Sequence, residues 1–415
     1  MEVDSIPQET QKKMEEIANA DLVVGILTDL DQEGIAKVSD ALATLSGSPR
    51  VALLQNDDSS NPDHGKHATS DKNTSIVVIP WPQLRPLTPD TPVLSVFTAY
   101  RTVFAASEKL GAKACCILAS KLETATPRWV FQLAQPLLEN NVDLVVPRYA
   151  SRKYEGLLNR SIISPLVRCL YGKRIHNPMG PDLGISRRLF QKVAGAEANS
   201  RPSDPHPLAS LAPTALADNL GVCEVHVGSR TYSPTDWSNV SSVLAEILGP
   251  VFNDMQRNVA YWQRMRGSVP LPSFGEPVSV SQDAGPLDVS RMIESFHLAN
   301  RDLEEIWSLV LPPASLFELR KIARLPVEQF RMPDELWVRI IFDFALAYRL
   351  RTINRDHLLK SMTPLYLAWV ASYAHDLETT GAADPEQRLD RLSVAYESDK
   401  SYLVSRWRWP DRFNP

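Results

Sequence analysis

Ala114–Val146 reads ACCILASKLETATPRWVFQLAQPLLENNVDLVV, and this stretch decides the fold. It opens on a short apolar run, Ala114–Leu118, of strand length. Apolar residues at helical spacing follow from Pro127 to Glu139, with Pro127 at an early position where a helix needs no amide donor. Val142–Val146 is a second short apolar, β-branched run. Strand, loop, helix and strand in so few residues predict a parallel crossover.

The same alternation extends outward. Ala20–Ile26 reads as a strand, Ile35–Leu45 as a helix, Val51–Leu54 as a strand, Ser75–Ile79 as a strand and Val93–Leu110 as a helix. Asn56–Asn73 is so rich in Asp, Ser, Asn, His and Gly that it reads as a solvated loop. Strands alternating with helices predict an α/β domain whose mostly parallel sheet is covered on both faces. Ligands of such sheets bind beyond the carboxyl ends of the strands, here the loops after Ile26, Leu54 and Leu118.

Ser233–Arg266 has a helical pattern, and Gly267–Gly285 is a Pro-, Ser- and Gly-rich connector. Beyond it Leu287–Leu311, Pro333–Arg351, Arg355–Thr379 and Pro385–Leu403 read as four helices. In the second, Leu336, Ile340, Ile341, Phe344 and Tyr348 fall on one face, with Asp334 and Glu335 in the first turn. Trp407 and Trp409 are expected to pack back onto the body. The predicted organisation is an N-terminal helical extension (1–19), an α/β domain (20–266), a linker (267–285) and a helical C-terminal region (286–415).

Composition narrows the function. The 415 residues are 44% hydrophobic and 22% charged, with a formal charge of -5 and no long run of one sign. Such a chain folds, and it offers no electrostatic footprint for nucleic acid. There is no GxGxxG and no GxxxxGK[ST], which counts against dinucleotide dehydrogenases and P-loop phosphotransferases. No window approaches a membrane span, and residues 1–20 lack the order of a signal peptide. Cys115, Cys116, Cys169 and Cys223 form no CxxC pair and read as buried thiols of a reducing, cytoplasmic setting. His64 and His67, near Asp57, Asp58 and Asp63, have a spacing that could ligate a metal, although loops of this kind are commonly disordered. Cys115 and Cys116, in a predicted buried strand, are expected to be inert.

Val146–Ser186, VPRYASRKYEGLLNRSIISPLVRCLYGKRIHNPMGPDLGIS, resembles the acceptor-side region of bacterial glucosyl-3-phosphoglycerate and mannosylglycerate synthase-like glycosyltransferases. Tyr149, Arg152, Lys153, Tyr154 and Gly156, then Pro165–Gly172, then Pro178–Gly184 carry the likeness. Lys109–Glu139 and Pro333–Tyr366 look similar to the same family. The resemblance implies a GT-A (Rossmann-like) fold, a nucleoside-diphosphate sugar donor, a divalent magnesium or manganese ion, a small anionic acceptor of glycerate or phosphoglycerate type, and a homodimer.

Residue by residue, the implied metal site is dismantled. The family's Asp-x-Asp falls on Ala119, Ser120 and Lys121, and its later histidine ligand falls on Tyr232. The Gly-Lys-Gly stretch reads Ser95–Thr98, the carboxylate of a further segment has only Asp204 as a loose substitute, and the GGDFG segment is Gly180–Gly184 with Pro181 in second place. No metal cofactor is therefore expected. The resemblance leaves Lys121, Arg230 and Ser120 as donor-binding candidates, and Arg152, Lys153, Tyr154 and Asp182 as acceptor-binding candidates.

Two readings stay open. Lys121 and Arg230 could stabilise the leaving pyrophosphate without a cation, as cationic clamps do. Alternatively Lys121 is a solvated loop side chain and the protein is a catalytically inactive pseudo-glycosyltransferase kept as a binding or regulatory module. Arg152, Lys153, Tyr154 and Arg168 likewise read either as a pocket for a carboxylate or phosphate or as surface charges beside a structural loop. Asp182 reads as an acceptor contact or as a turn residue.

Overall fold

The computed structural model describes residues 14–15, 17, 19–27, 32–56, 76–81, 93–119, 128–198, 207–229, 237, 240–280, 287–379 and 384–410. Most of the expected N-terminal extension, the 64–67 histidine loop and Asp204 lie outside them. The chain divides into two units, each discontinuous in sequence. One comprises Met1–Ser151, Asn177–Ser233 and Leu271–Val280, and the other Arg152–His176, Pro234–Pro270 and Ser281–Pro415.

The first unit is built on β1 (Leu22–Ile26), β2 (Val51–Asn56), β3 (Ile76–Trp81), β4 (Ala114–Leu118) and β5 (Leu144–Ala150). β6 (Lys173–Arg174) pairs in parallel with β9 (Val269–Pro270) in a separate two-stranded ladder of the second unit. β7 (Leu183–Ser186), β8 (Val222–Ser229) and β10 (Ser273–Phe274) complete an eight-stranded sheet of order β10-β8-β5-β7-β4-β1-β2-β3. Every neighbouring pair is parallel except those of β7, which runs antiparallel to both β4 and β5. The fold class is the expected one: α/β, mostly parallel, followed by a helical region.

Side-chain alternation explains why both faces are covered. Leu22, Val24 and Ile26 of β1 join Ala114, Cys116 and Leu118 of β4 in one core with Val38, Leu42, Trp129, Val130, Leu133 and Leu137. Those partners come from the Gln32–Ala43 and Arg128–Glu139 helices. Gly25 faces the other side, where a Cβ would lie 2.3 Å from Val103 Cγ2 of the Val93–Lys109 helix. A glycine there lets that helix lie close on the sheet.

The second unit is helical, and its central helix departs from the expected amphipathic stripe. Asp334–Leu350 is buried nearly all round: Leu336, Trp337, Val338 and every residue from Ile340 to Tyr348 are buried. A helix apolar on all sides belongs inside a bundle rather than on its surface. Three expected helices are each two. Leu287–Leu311 breaks at Leu303 into Val289–Asp302 and Glu304–Val310. Arg355–Thr379 breaks at Met362, just before Pro364 removes an amide donor. Pro385–Leu403 breaks at Asp399, whose carboxylate accepts from Arg339 Nε at 2.8 Å. Trp407 packs at 5.4 Å against Trp262, whereas Trp409 is 76% exposed and does not fold back.

Arg152–His176 belongs to this unit. It contains a π-helical turn, Asn159–Ile163, and the Ser164–Tyr171 helix, which ends at Gly172 in the left-handed conformation (φ 69°). All four cysteines are buried and free, and burial pushes the Cys115, Cys169 and Cys223 thiols up to about 12, so they are poor nucleophiles. Among the described residues no helix is long and apolar enough to cross a membrane.

Candidate functional site

In the first unit the candidate that the structure describes, Asp182, stands where β7 begins. Because β7 is antiparallel, its first residue pairs near the carboxyl end of β4, with Leu183 opposite Ile117. Asp182 therefore sits beside the carboxyl end of β4. Its Oδ1 accepts the Ala119 N–H at 2.7 Å and its Oδ2 accepts the Tyr149 O–H at 2.6 Å. Asp182 is only 1% exposed and Ala119 3%. The preceding carbonyl, of Pro181, accepts the Tyr100 hydroxyl.

The motif's last glycine has a packing cause. A Cβ on Gly184 would lie 2.7 Å from the Leu133 carbonyl oxygen, so the Arg128–Glu139 helix could not lie so close to the sheet. Asp143, one residue before β5, is a second buried carboxylate. It accepts from Ser186 Oγ, Arg188 Nε and Nη2, and the Gly221 N–H. Burial pushes its carboxyl up, but Arg188, Ser186 and the Gly221 amide together hold it below the usual range. Ser120, Lys121, Arg230 and Tyr232 lie outside the described residues, so the donor-side candidates have no described geometry.

In the second unit Arg152, Lys153 and Tyr154 share one turn, closed by the Glu155 N–H to the Arg152 carbonyl at 3.1 Å. Glu155 neutralises Arg152, with Nη1 to Oε1 at 2.9 Å and the Arg152 N–H to Oε2 at 2.8 Å. Lys153 is different. Its Nζ lies 4.8 Å from the centre of the Tyr154 ring, and among the described residues no carboxylate pairs with it. Tyr154 in turn meets Tyr373 edge-on at 6.4 Å.

Arg168 is not part of this turn's exposed charge. Its side chain is 8% exposed and bridges Asp390 at 2.5 Å and Glu397 at 2.9 Å. Burial works against its charge, and the two carboxylates outweigh that. The guanidinium is spent joining the Ser164–Tyr171 and Pro385–Ser398 helices.

Reasoning from sequence missed the side chains that hold the turn. Arg160 Nη1 donates to the carbonyls of Arg152 and Glu155 at 3.1 and 3.2 Å, and Nη2 pairs with Glu386 at 2.5 Å. The Tyr373 hydroxyl donates to the Lys153 carbonyl at 2.9 Å. A signal for Arg160 exists, since it is a lone cation among Leu157, Leu158, Ile162 and Ile163. Tyr373, more than two hundred residues away, has none.

No family model and no curated protein matches the chain. Among solved structures, glucosyl-3-phosphoglycerate synthase from Mycobacterium tuberculosis, in complex with Mn2+, UDP-glucose and phosphoglyceric acid, is 17% identical. That match covers 61% of this chain and 85% of the other, with a TM-score of 0.34. Mannosyl-3-phosphoglycerate synthase from Rubrobacter xylanophilus is 12% identical, covering 64% of this chain and 82% of the other with a TM-score of 0.37.

Proposed function

We propose that this chain is a GT-A-type, glycosyltransferase-like protein that takes a nucleoside-diphosphate sugar beyond the carboxyl ends of β1, β2 and β4 and a small phosphate- or carboxylate-bearing acceptor at the Arg152–Glu155 turn. The observation that carries the reading is Lys153: in a turn whose other charges are neutralised, it keeps an ammonium for an anion. Parallel strands ending on one edge supply the usual place for a nucleotide.

The residues at the end of β4 do not fit a divalent cation. Ala119 offers no oxygen ligand from its side chain, and its amide is given to Asp182. Lys121 and Arg230 are the groups we assign to the pyrophosphate. A second reading, an inactive glycosyltransferase fold kept for recognition, is favoured by Asp182 and Arg168. Both are motif residues whose charges are taken up inside the fold.

Calorimetry with UDP, GDP and their glucose and mannose conjugates, each with manganese and with a chelator, separates the readings. Metal-insensitive binding that Lys121→Ala abolishes supports a working donor site. Absence of binding under every condition leaves the recognition reading. The homodimer that the resemblance implies is testable by sedimentation of the same sample.

A further inference from the structure

The turn that presents Lys153 is held from beneath by three hydrogen bonds to its main-chain carbonyls. Arg160 takes those of Arg152 and Glu155, and Tyr373 takes that of Lys153 between them. Both donors are fixed in turn. Arg160 stands in the π-helical turn, its amide bonded to the Gly156 carbonyl at 3.0 Å and its side chain, 9% exposed, anchored on Glu386. Tyr373 is wholly buried in the Thr363–Thr379 helix, with its ring stacked on Trp369 at 5.4 Å. Gly156, at φ 61°, lets the chain leave the turn and enter the helix at once.

We propose that Arg160 and Tyr373 are positioning residues for anion binding by this turn: they order it through its carbonyls before any ligand arrives, and neither touches the ligand. The inference rests on the reading of the turn as the acceptor-anion site. Arg160 is too enclosed, and its two Nη groups too fully engaged, to meet a ligand itself. With the carbonyls tied inward, the side chain of Lys153 and the amides of Lys153 and Tyr154, which donate to no protein acceptor among the described residues, are what the turn has left to offer. A turn already ordered spares a ligand the entropy of ordering it. The fork of Arg160 matters beyond its charge, since one guanidinium reaches two carbonyls and a carboxylate together, which a lysine cannot do.

The test uses the full-length protein and the variants Tyr373→Phe, Arg160→Met and Arg160→Lys. Deuterium exchange of the 152–156 amides, followed by mass spectrometry without ligand, is expected to speed up in all three variants. Calorimetry with inorganic phosphate and with 3-phosphoglycerate is expected to show affinity falling by roughly ten-fold in each. Arg160→Lys should fall with Arg160→Met although it keeps the Glu386 pair, a pattern that loss of charge alone would not give. Tyr373→Phe removes a single hydroxyl and decides the matter if the Arg160 variants fold poorly. Exchange at the wild-type rate in Tyr373→Phe and Arg160→Met overturns the clamp, whatever the binding data. Faster exchange with unchanged anion affinity overturns its role in binding. A wild-type protein that takes up neither anion sinks the parent reading of the turn, and with it the ligand half of the proposal, while the exchange result still decides the clamp.

Discussion

Two segments of this chain carry the family-like motifs equally clearly in sequence, and the fold uses them in opposite ways. In Pro178–Gly184 the retained carboxylate, Asp182, is buried with an amide on one oxygen and a phenol on the other. In Arg152–Gly156 the retained cation, Lys153, is only half-buried and pairs with no carboxylate among the described residues. A charged motif residue can therefore be tied up inside the fold or left with its charge available, and the partners of its polar atoms separate the cases.

The sharpest way to break this contrast is Asp182→Ala. It leaves the Ala119 amide and the Tyr149 hydroxyl without their acceptor, and the expected cost is about 3 kcal/mol of stability in urea unfolding. A variant as stable as the wild type would remove Asp182 from the framework.

Asp254 is a carboxylate of the second unit that, like Asp182, is taken up inside the fold. Its carboxylate accepts from Tyr171 Oη at 2.5 Å and Asn258 Nδ2 at 3.1 Å, and burial pushes it up to about 7 against those bonds. A folded-state value raised above the unfolded one means the native protein binds the proton more tightly. This group therefore favours the fold most at low pH, and that contribution fades as pH climbs from about 4 to about 7, at up to about 1.4 kcal/mol per pH unit. Asp254→Asn is expected to remove this slope from urea midpoints measured across that range.

Arg168→Met is expected to cost less, about 1–2 kcal/mol, because Asp390 is largely solvated already and only Glu397 is left enclosed. Phosphate affinity should not change. Lys153→Ala is the mirror image: stability within about 0.5 kcal/mol of wild type, with phosphate binding lost in calorimetry. If Arg168→Met weakened phosphate binding and Lys153→Ala did not, the assignment of the two cations would be reversed.

Much of the first unit was legible in sequence because its strands are short apolar runs separated by polar turns; β4 is found at the predicted Ala114–Leu118. The helical unit was less so. Hydrophobic spacing runs on through Leu303, Met362 and Asp399, where the chain bends, because the bundle needs apolar residues on both sides of each bend. At the site, residue type and order pointed to Lys153 and Asp182 alike. What separates them is long-range: Asp182 is spoken for by residues 33 and 63 positions away, and the turn of Lys153 is held by one 220 positions away. No local pattern encodes such partners.

The units' interleaved segments also set an order of events on the ribosome. The chain passes from one unit to the other after Ser151, His176, Ser233, Pro270 and Val280. The sheet is short of β10 until residue 274 has been synthesised, and Arg152–His176 waits for helices made more than a hundred residues later. That early segment, with its apolar Leu157, Ile162, Ile163 and Leu166, leaves the ribosome well before the helices that bury it, and its apolar surface stays open to wrong contacts in the interval.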